Sequence, residues 1–139
     1  VLALNYAIDH PERVKALVLI APQYKIPRTL LKLQNILFRF MPKSAFSQTG
    51  FQKADFIRLC HSMAELDFSR SLRKVTCPTL ILCGEHDRAN QKAARMLACL
   101  LKNAQFQLVP GAGHEVNVDA PERLAKILKM WKDARKFAE

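Results

Sequence analysis

Three short apolar runs constrain the fold of this 139-residue chain more than any other feature. They span residues 16–20, 79–83 and 106–109, and each has the length of a strand. The first two lack the polar alternation of a half-exposed strand, which is typical of parallel strands that are covered on both faces. The runs therefore predict a parallel sheet buried between layers of helices.

Helical patterns lie beside these runs. Residues 1–10, 88–102 and 122–137 each place apolar side chains on one stripe at helical spacing. In the second of these helices the predicted stripe consists of Ala93, Met96, Leu97, Leu100 and Leu101. The order helix–strand, a long insertion, then strand–helix–strand–helix predicts an α/β fold with right-handed crossovers.

The insertion, residues 23–73, differs in character from the rest of the chain. It is basic and contains short amphipathic pieces, so we expect a small helical cap (or lid) between core segments 1–22 and 74–139. Its large apolar side chains either face a hydrophobic part of a substrate or only pack the cap on the core. They are Leu30, Leu33, Leu37, Phe38, Phe40, Phe46 and Phe51.

Charge and composition narrow the classes of partner. The net charge of +10 raises the question of nucleic acid, but no dense Lys/Arg block occurs and no aromatic residues alternate with the charges, so we expect no nucleic-acid partner. No stretch approaches the roughly 18 apolar residues of a membrane span, and we expect no membrane partner. The four cysteines lack metal-ligand spacing, so no metal is expected, and we expect no cofactor. Reduced, buried thiols favour a cytoplasmic location.

Two chemically capable side chains follow neighbouring predicted strands. Asp87 comes four residues after the end of the run at 79–83, and His114 comes after the glycine-containing turn that follows the run at 106–109. Because the carboxyl ends of parallel strands meet at one edge of a sheet, we expect the two side chains to lie close together. A carboxylate that holds one imidazole nitrogen leaves the other nitrogen to act as a general base.

Each of these residues also has a plainer interpretation. Asp87 directly precedes a predicted helix and could only cap it, and His114 could be a solvated loop residue. Glu85 competes with Asp87 as the acid, although its place nearer the strand end favours another direction for its side chain. The combination of an acid and a histidine one strand–helix–strand unit apart favours the catalytic interpretation over either residue alone.

The order acid-then-histidine resembles the second half of the α/β-hydrolase order nucleophile, acid, histidine. CPTLILCGEHD (77–87) resembles the family's acid-bearing strand and loop, and VPGAGH (109–114) resembles its histidine loop. DAPERL (119–124) resembles the helix start that follows the histidine. VLALNYAIDHPERV (1–14) and ALVLIAP (16–22) resemble the helix and the strand that follow the nucleophile elbow. The resemblance covers all but the cap. It implies that the chain is the C-terminal half of an α/β-hydrolase, with Asp87 as the catalytic acid and His114 as the catalytic histidine.

The chain departs from the family pattern at the nucleophile, because it contains no Gly-x-Ser-x-Gly. The resemblance places that elbow and the oxyanion-hole amides just before Val1, so we expect them in a preceding segment and expect residues 1–139 alone to be inactive. The serines of the cap region lack a strand–turn–helix context; they are Ser44, Ser47, Ser62, Ser69 and Ser71. The resemblance implies a serine hydrolase that acts on an ester or related acyl bond of a small molecule.

Two alternatives stay open at this stage. Other members of the fold use an aspartate nucleophile on epoxides or carbon–halogen bonds. A chain that begins near Val1 would instead be a non-catalytic interaction module, in which the open edge of the first strand pairs with another copy. The coding sequence upstream of Val1 separates the enzyme from the module.

Overall fold

The computed structural model describes residues 1–25, 36–38, 40–42, 52–64 and 66–136. The chain divides into two compact units, one formed by Val1–Gln23 with Arg70–Glu139 and the other by Tyr24–Ser69. Several residues named above lie outside the described residues; they are Leu30, Leu33, Ser44, Phe46, Ser47 and Phe51.

The first unit is built on a parallel sheet with the strand order β1-β2-β3. Its strands are β1 (Leu17–Ile20), β2 (Thr79–Gly84) and β3 (Ala104–Val109). Leu17 of β1 lies opposite Thr79, and Gly84 at the end of β2 lies opposite Val109. The carboxyl ends of β2 and β3 therefore coincide.

Helices flank this sheet, which confirms the predicted α/β architecture. In the first unit the α-helices are α1 (Leu2–Asp9), α3 (Arg88–Leu100), α4 (Val116–Asp119) and α5 (Pro121–Lys136), and the second unit contains α2 (Lys53–Ala64). Proline at the first position of α5 suits a helix start, because its missing N–H would have no partner in the first turn. None of the helices within the described ranges is both long enough and apolar enough to cross a membrane.

The core of the first unit lies on both faces of β2, every residue of which is buried. On one face Leu80 and Leu82 form a buried cluster with Val109, and apolar side chains of α5 pack against it; these are Leu124, Ile127, Leu128 and Trp131. On the other face α3 contacts β2 and β3, and Arg95 of α3 lies with its guanidinium 4.6 Å from the centre of the Phe106 ring. The continuous apolar sequence of β2 thus matches a strand between two helical layers.

The expectation that the first strand is covered on both faces is wrong for the described part of the chain. Leu17 and Leu19 are buried where α1 contacts β1, but Val18 and Ile20 are 36% and 38% exposed. Parallel pairing puts Val18 and Ile20 on the same face as Leu80 and Leu82. The helix α5 covers that face at β2 and leaves it partly exposed at β1.

The predicted apolar stripe of α3 is also only partly right. Ala94 and Leu97 are the buried residues of this helix, whereas Met96 and Leu100 are exposed. The helix therefore directs the stripe that contains Ala94 and Leu97 toward the sheet. A small residue at position 94 lets the helix backbone approach the strands closely.

In the second unit the two ends are joined by a short antiparallel contact. Lys25 pairs with Asp67, their side chains form an ion pair at 3.0 Å, and the amide of Phe68 donates to the carbonyl of Tyr24 at 3.0 Å. Hydrogen bonds from the side chain and backbone of Ser69, together with Lys25, lower the pKa of Asp67 to about 2. The helix α2 is the longest element among the described residues of this unit.

Gly84 allows the loop after β2 to approach the loop after β3, and its replacement tests this packing. A Cβ atom at Gly84 would overlap the backbone carbonyl groups of Ala112 and Gly113. We expect Gly84→Ala to lower the free energy of unfolding by about 3 kcal/mol, the upper part of the usual cost of overpacking, because backbone atoms cannot rotate away. Urea denaturation of the purified chain measures this change.

Gly113→Ala is the matched control for Gly84→Ala. A Cβ atom at Gly113 meets a single side-chain oxygen, Oδ2 of Asp119, at 3.0 Å. This neighbour can shift, so the control should lose clearly less stability. Equal losses in the two variants would contradict the close approach of the loops at Gly84.

Candidate active site

Asp87 is both a helix cap and a partner of His114. It is the N-cap of α3, where its Oδ1 accepts a hydrogen bond from the amide of Asn90 at 3.3 Å. Its side chain is only 4% exposed, and its Oδ2 lies 2.9 Å from Nδ1 of His114. The same carboxylate therefore both caps α3 and pairs with His114.

The loop that carries His114 is fixed by acidic side chains that bond its backbone. Gly111 adopts φ +71°, a conformation that favours glycine, and its amide donates to Glu85 Oε2 at 2.9 Å. The amide of Gly113 donates to Asp119 Oδ2 at 2.7 Å. Two carboxylates thus hold the backbone on either side of the turn, which fixes the direction in which His114 leaves it.

These contacts show where two other acidic side chains, Glu85 and Asp119, lie relative to His114. Glu85 directs its carboxylate to the histidine loop and not to the imidazole of His114. Asp119, in the string that resembles the family's helix start, ends the short helix α4 and bonds Gly113. The acid next to the imidazole is Asp87.

The exposed side of His114 is the side that could meet a substrate. Its side chain is 67% exposed, and among the described residues its side-chain polar contacts, with Oδ2 of Asp87 and Nδ2 of Asn90, are both at Nδ1. An ionised carboxylate only accepts hydrogen bonds, so Nδ1–H donates to Asp87 and the lone pair of Nε2 faces outward. An imidazole in this state can accept a proton at Nε2 while the carboxylate stabilises the resulting cation.

Two opposing effects set the pKa of Asp87. Burial, the largest effect, raises it, but hydrogen bonds from His114 and then Asn90 together outweigh burial, so the pKa of Asp87 lies below its ordinary value. Beneath the carboxylate, burial and the charge of Asp87 raise the pKa of the Cys83 thiol to about 11. Asp87 is therefore ionised and Cys83 neutral at physiological pH.

Two amide side chains complete the surroundings of the carboxylate, and the sequence did not single them out. Nδ2 of Asn90 lies 2.9 Å from both oxygens of Asp87 and 3.2 Å from Nδ1 of His114. Nε2 of Gln23 lies 2.6 Å from Oδ1 of Asn90. Asn90 could have been found from its place three residues after a capping aspartate, where side chains meet at a helix start. No local pattern indicates Gln23.

Within the described ranges, no group of three or more His, Cys, Asp or Glu side chains could hold a metal ion. The site consists of a carboxylate, an imidazole and two amides. These groups can accept, hold and release a proton at Nε2 of His114, which is the chemistry of general base catalysis.

Comparison with known proteins decides the family. The model of the alpha/beta hydrolase family matches residues 1–127. This chain belongs to the alpha/beta hydrolase family. The resemblance stated from the loops after β2 and β3 is thereby confirmed.

A curated hydrolase and two solved structures illustrate the relationship. Monoacylglycerol lipase ABHD6 of Bos taurus is 26% identical over 107 residues, which cover 76% of this chain and 30% of the lipase. The enol-lactonase from Burkholderia xenovorans LB400 has a TM-score of 0.78 at 15% identity, over 94% of this chain and 61% of that one. A membrane phospholipase A described as a bacterial virulence factor has a TM-score of 0.73 at 22% identity, over 96% and 54%. The likeness to the two solved structures shows the fold of this alpha/beta hydrolase. The chain spans less than a third of the length of the curated lipase.

The lowered pKa of Asp87 predicts how the stability of the folded chain changes with pH. Asp87→Asn should lower the free energy of unfolding at about pH 6 by about 1.5–3 kcal/mol, because a buried hydrogen bond to a charged group is lost. The folded-state pKa lies below the ordinary 3.8, so the contribution of the carboxylate is complete above that value. This contribution is lost as the pH falls through the folded-state pKa of Asp87, below which the carboxyl group is protonated in both the folded and the unfolded chain.

Urea titrations of the wild type and Asp87→Asn at about pH 6 and about pH 3 measure this dependence. The difference between the two proteins should be smaller at the lower pH. Glu122→Gln, which neutralises an exposed carboxylate of α5, controls for the loss of one negative charge. A difference that stays constant or grows on acidification would contradict the ionised, hydrogen-bonded state of Asp87.

Proposed function

We propose that this chain supplies the general base, His114, and its orienting carboxylate, Asp87, to a hydrolase that cleaves an ester or related acyl bond of a small molecule. The observation that carries the proposal is the 2.9 Å contact from Nδ1 of His114 to Oδ2 of Asp87, combined with an exposed imidazole. Relatives named as monoacylglycerol lipases support acyl chemistry.

The proposed reaction proceeds in two proton-transfer cycles at Nε2 of His114. In the first, Nε2 accepts the proton of a serine hydroxyl while the serine oxygen bonds to the acyl carbon, and the proton then passes to the leaving oxygen as the acyl–oxygen bond breaks. In the second, Nε2 accepts a proton from water as the water oxygen bonds to the acyl carbon. It returns that proton to the serine oxygen as the acyl–serine bond breaks and the acid is released. Asp87 holds Nδ1–H throughout and stabilises the imidazolium.

The proposal assigns the base and its carboxylate and does not assign the nucleophile. Residues 1–139 contain no Gly-x-Ser-x-Gly. Within the described ranges, the side-chain partners of His114 are Asp87 and Asn90, neither of which is a hydroxyl or thiol group. The tests of turnover therefore use the full-length protein.

Three substitutions test the assignment through kcat on a p-nitrophenyl ester. His114→Ala should remove nearly all turnover, because no other base replaces Nε2. Asp87→Asn should reduce kcat by a factor on the order of 10⁴, as in the serine-protease precedent, because the amide no longer favours the reactive tautomer. Glu85→Gln should have a mild effect, since the amide oxygen of Gln can still accept the hydrogen bond from Gly111.

Glu85→Gln is the matched control, because it makes the same change from acid to amide two residues away. All variants are compared at a temperature at which circular dichroism shows them folded. Turnover that survives His114→Ala would overturn the proposed function. If Glu85→Gln were inactive and Asp87→Asn active, the assignment of Asp87 as the acid would be wrong.

A further inference from the structure

Asn90 contacts the Asp87 carboxylate next to His114. Its Nδ2 lies 2.9 Å from each carboxylate oxygen, and its backbone amide lies 3.3 Å from Oδ1. A carboxylate bonded by one imidazole alone can rotate about the bond that joins it to Cβ. A second donor that touches both oxygens opposes this rotation.

The amide of Gln23 contacts the other end of the Asn90 amide. Its Nε2 donates to Oδ1 of Asn90 at 2.6 Å, with the NH₂ group of Asn90 directed to Asp87. In the flipped orientation, Oδ1 of Asn90 would face the ionised carboxylate, which is unfavourable, and Gln23 would have to turn its own amide to keep a hydrogen bond. The donor of Gln23 therefore adds to the preference of Asn90 for the orientation that donates to Asp87.

The backbone at the end of β1 brings Gln23 to this position. Ala21 adopts φ +47°, in the region that L residues other than glycine rarely occupy, and its amide donates to the carbonyl of Leu82 at 2.8 Å. Two residues later, Gln23 reaches the first turn of α3. Strained backbone of this kind persists where the surrounding structure determines it, often at functional sites.

We propose that Asn90 and Gln23 are positioning residues, in which the Gln23 amide orients that of Asn90 and Asn90 fixes the Asp87 carboxylate in the rotamer that holds Nδ1 of His114. This inference rests on the proposed function and extends it to two residues that touch neither substrate nor nucleophile. Productive geometry requires alignment to within roughly 0.5 Å, and a misplacement on the order of 1 Å costs on the order of 10² in rate.

Asn90→Leu tests the first step of this arrangement. Leucine has nearly the shape of asparagine and keeps the backbone amide that caps Asp87, but it cannot donate to the carboxylate. We expect kcat for the p-nitrophenyl ester in the full-length protein to fall by about 10–100-fold with KM nearly unchanged, because an interaction needed in the transition state is weakened while substrate contacts remain.

Asn103→Leu is the matched control for Asn90→Leu. It removes a side-chain hydrogen bond, from Nδ2 to the carbonyl of Thr76 at 2.7 Å, in the segment that leads into β3 at the opposite end of the sheet. A general loss of stability would lower the midpoint of thermal unfolding in both variants, whereas the loss of kcat should be confined to Asn90→Leu.

Substitutions of Gln23 distinguish orientation of the amide from mere packing. Gln23→Met removes the donor, and Gln23→Glu replaces it with an acceptor that attracts the NH₂ group of Asn90 and turns it away from Asp87. We therefore expect Gln23→Glu to reduce kcat more than Gln23→Met at neutral pH. A packing role would give equal effects. Gln107→Met, at an exposed position of β3, controls for the loss of an amide.

The outcomes separate this inference from the function on which it rests. Turnover that survives His114→Ala would overturn the proposed function and the inference with it. Turnover that is lost in His114→Ala but is at wild-type kcat in Asn90→Leu would overturn the inference alone. Equal kcat in Gln23→Met and Gln23→Glu would remove Gln23 from the arrangement and limit positioning to Asn90.

Discussion

Parallel pairing of β2 with both of its neighbours is the constraint on which the rest of the first unit depends. Because Gly84 lies opposite Val109, the loops after β2 and β3 leave the sheet at the same level. The amides of Glu85 and His86 then bond the carbonyls of Val109 and Ala112, so the two loops are joined by backbone hydrogen bonds before any side chain is considered. The pairing of acid and histidine follows from this register.

A buried carboxylate imposes a second requirement, because its charged form is poorly solvated. Asp87 meets it with donors from His114, from the side chain and backbone of Asn90, and with a weak contact from the Cys83 thiol at 3.9 Å. Each donor is held by an element of its own, namely β2, the first turn of α3 and the loop after β3. Stability and the proposed chemistry therefore depend on the same contacts, and a substitution here is expected to affect both.

The sequence predicted the features that depend on local pattern and strand direction. Apolar runs located the strands, and the rule that parallel strands end at one edge brought Asp87 to His114. Burial of particular faces was harder to predict, because the sequence of β1 does not tell which helix covers Val18 and Ile20. The contact of Gln23 with Asn90 was beyond prediction, since it joins residues 67 positions apart through a positive φ at Ala21, where no glycine marks the turn.

Asp87 holds the imidazole of His114 with the proton on Nδ1 and the lone pair on Nε2. Long-range ¹H–¹⁵N correlation spectra of the chain, recorded at a pH where the ring is neutral, report directly which nitrogen carries the proton. In the wild type, Nδ1 should be protonated and Nε2 unprotonated, and this preference should be lost in Asp87→Asn. A wild-type spectrum in which Nε2 carries the proton, or one that Asp87→Asn leaves unchanged, would contradict this arrangement.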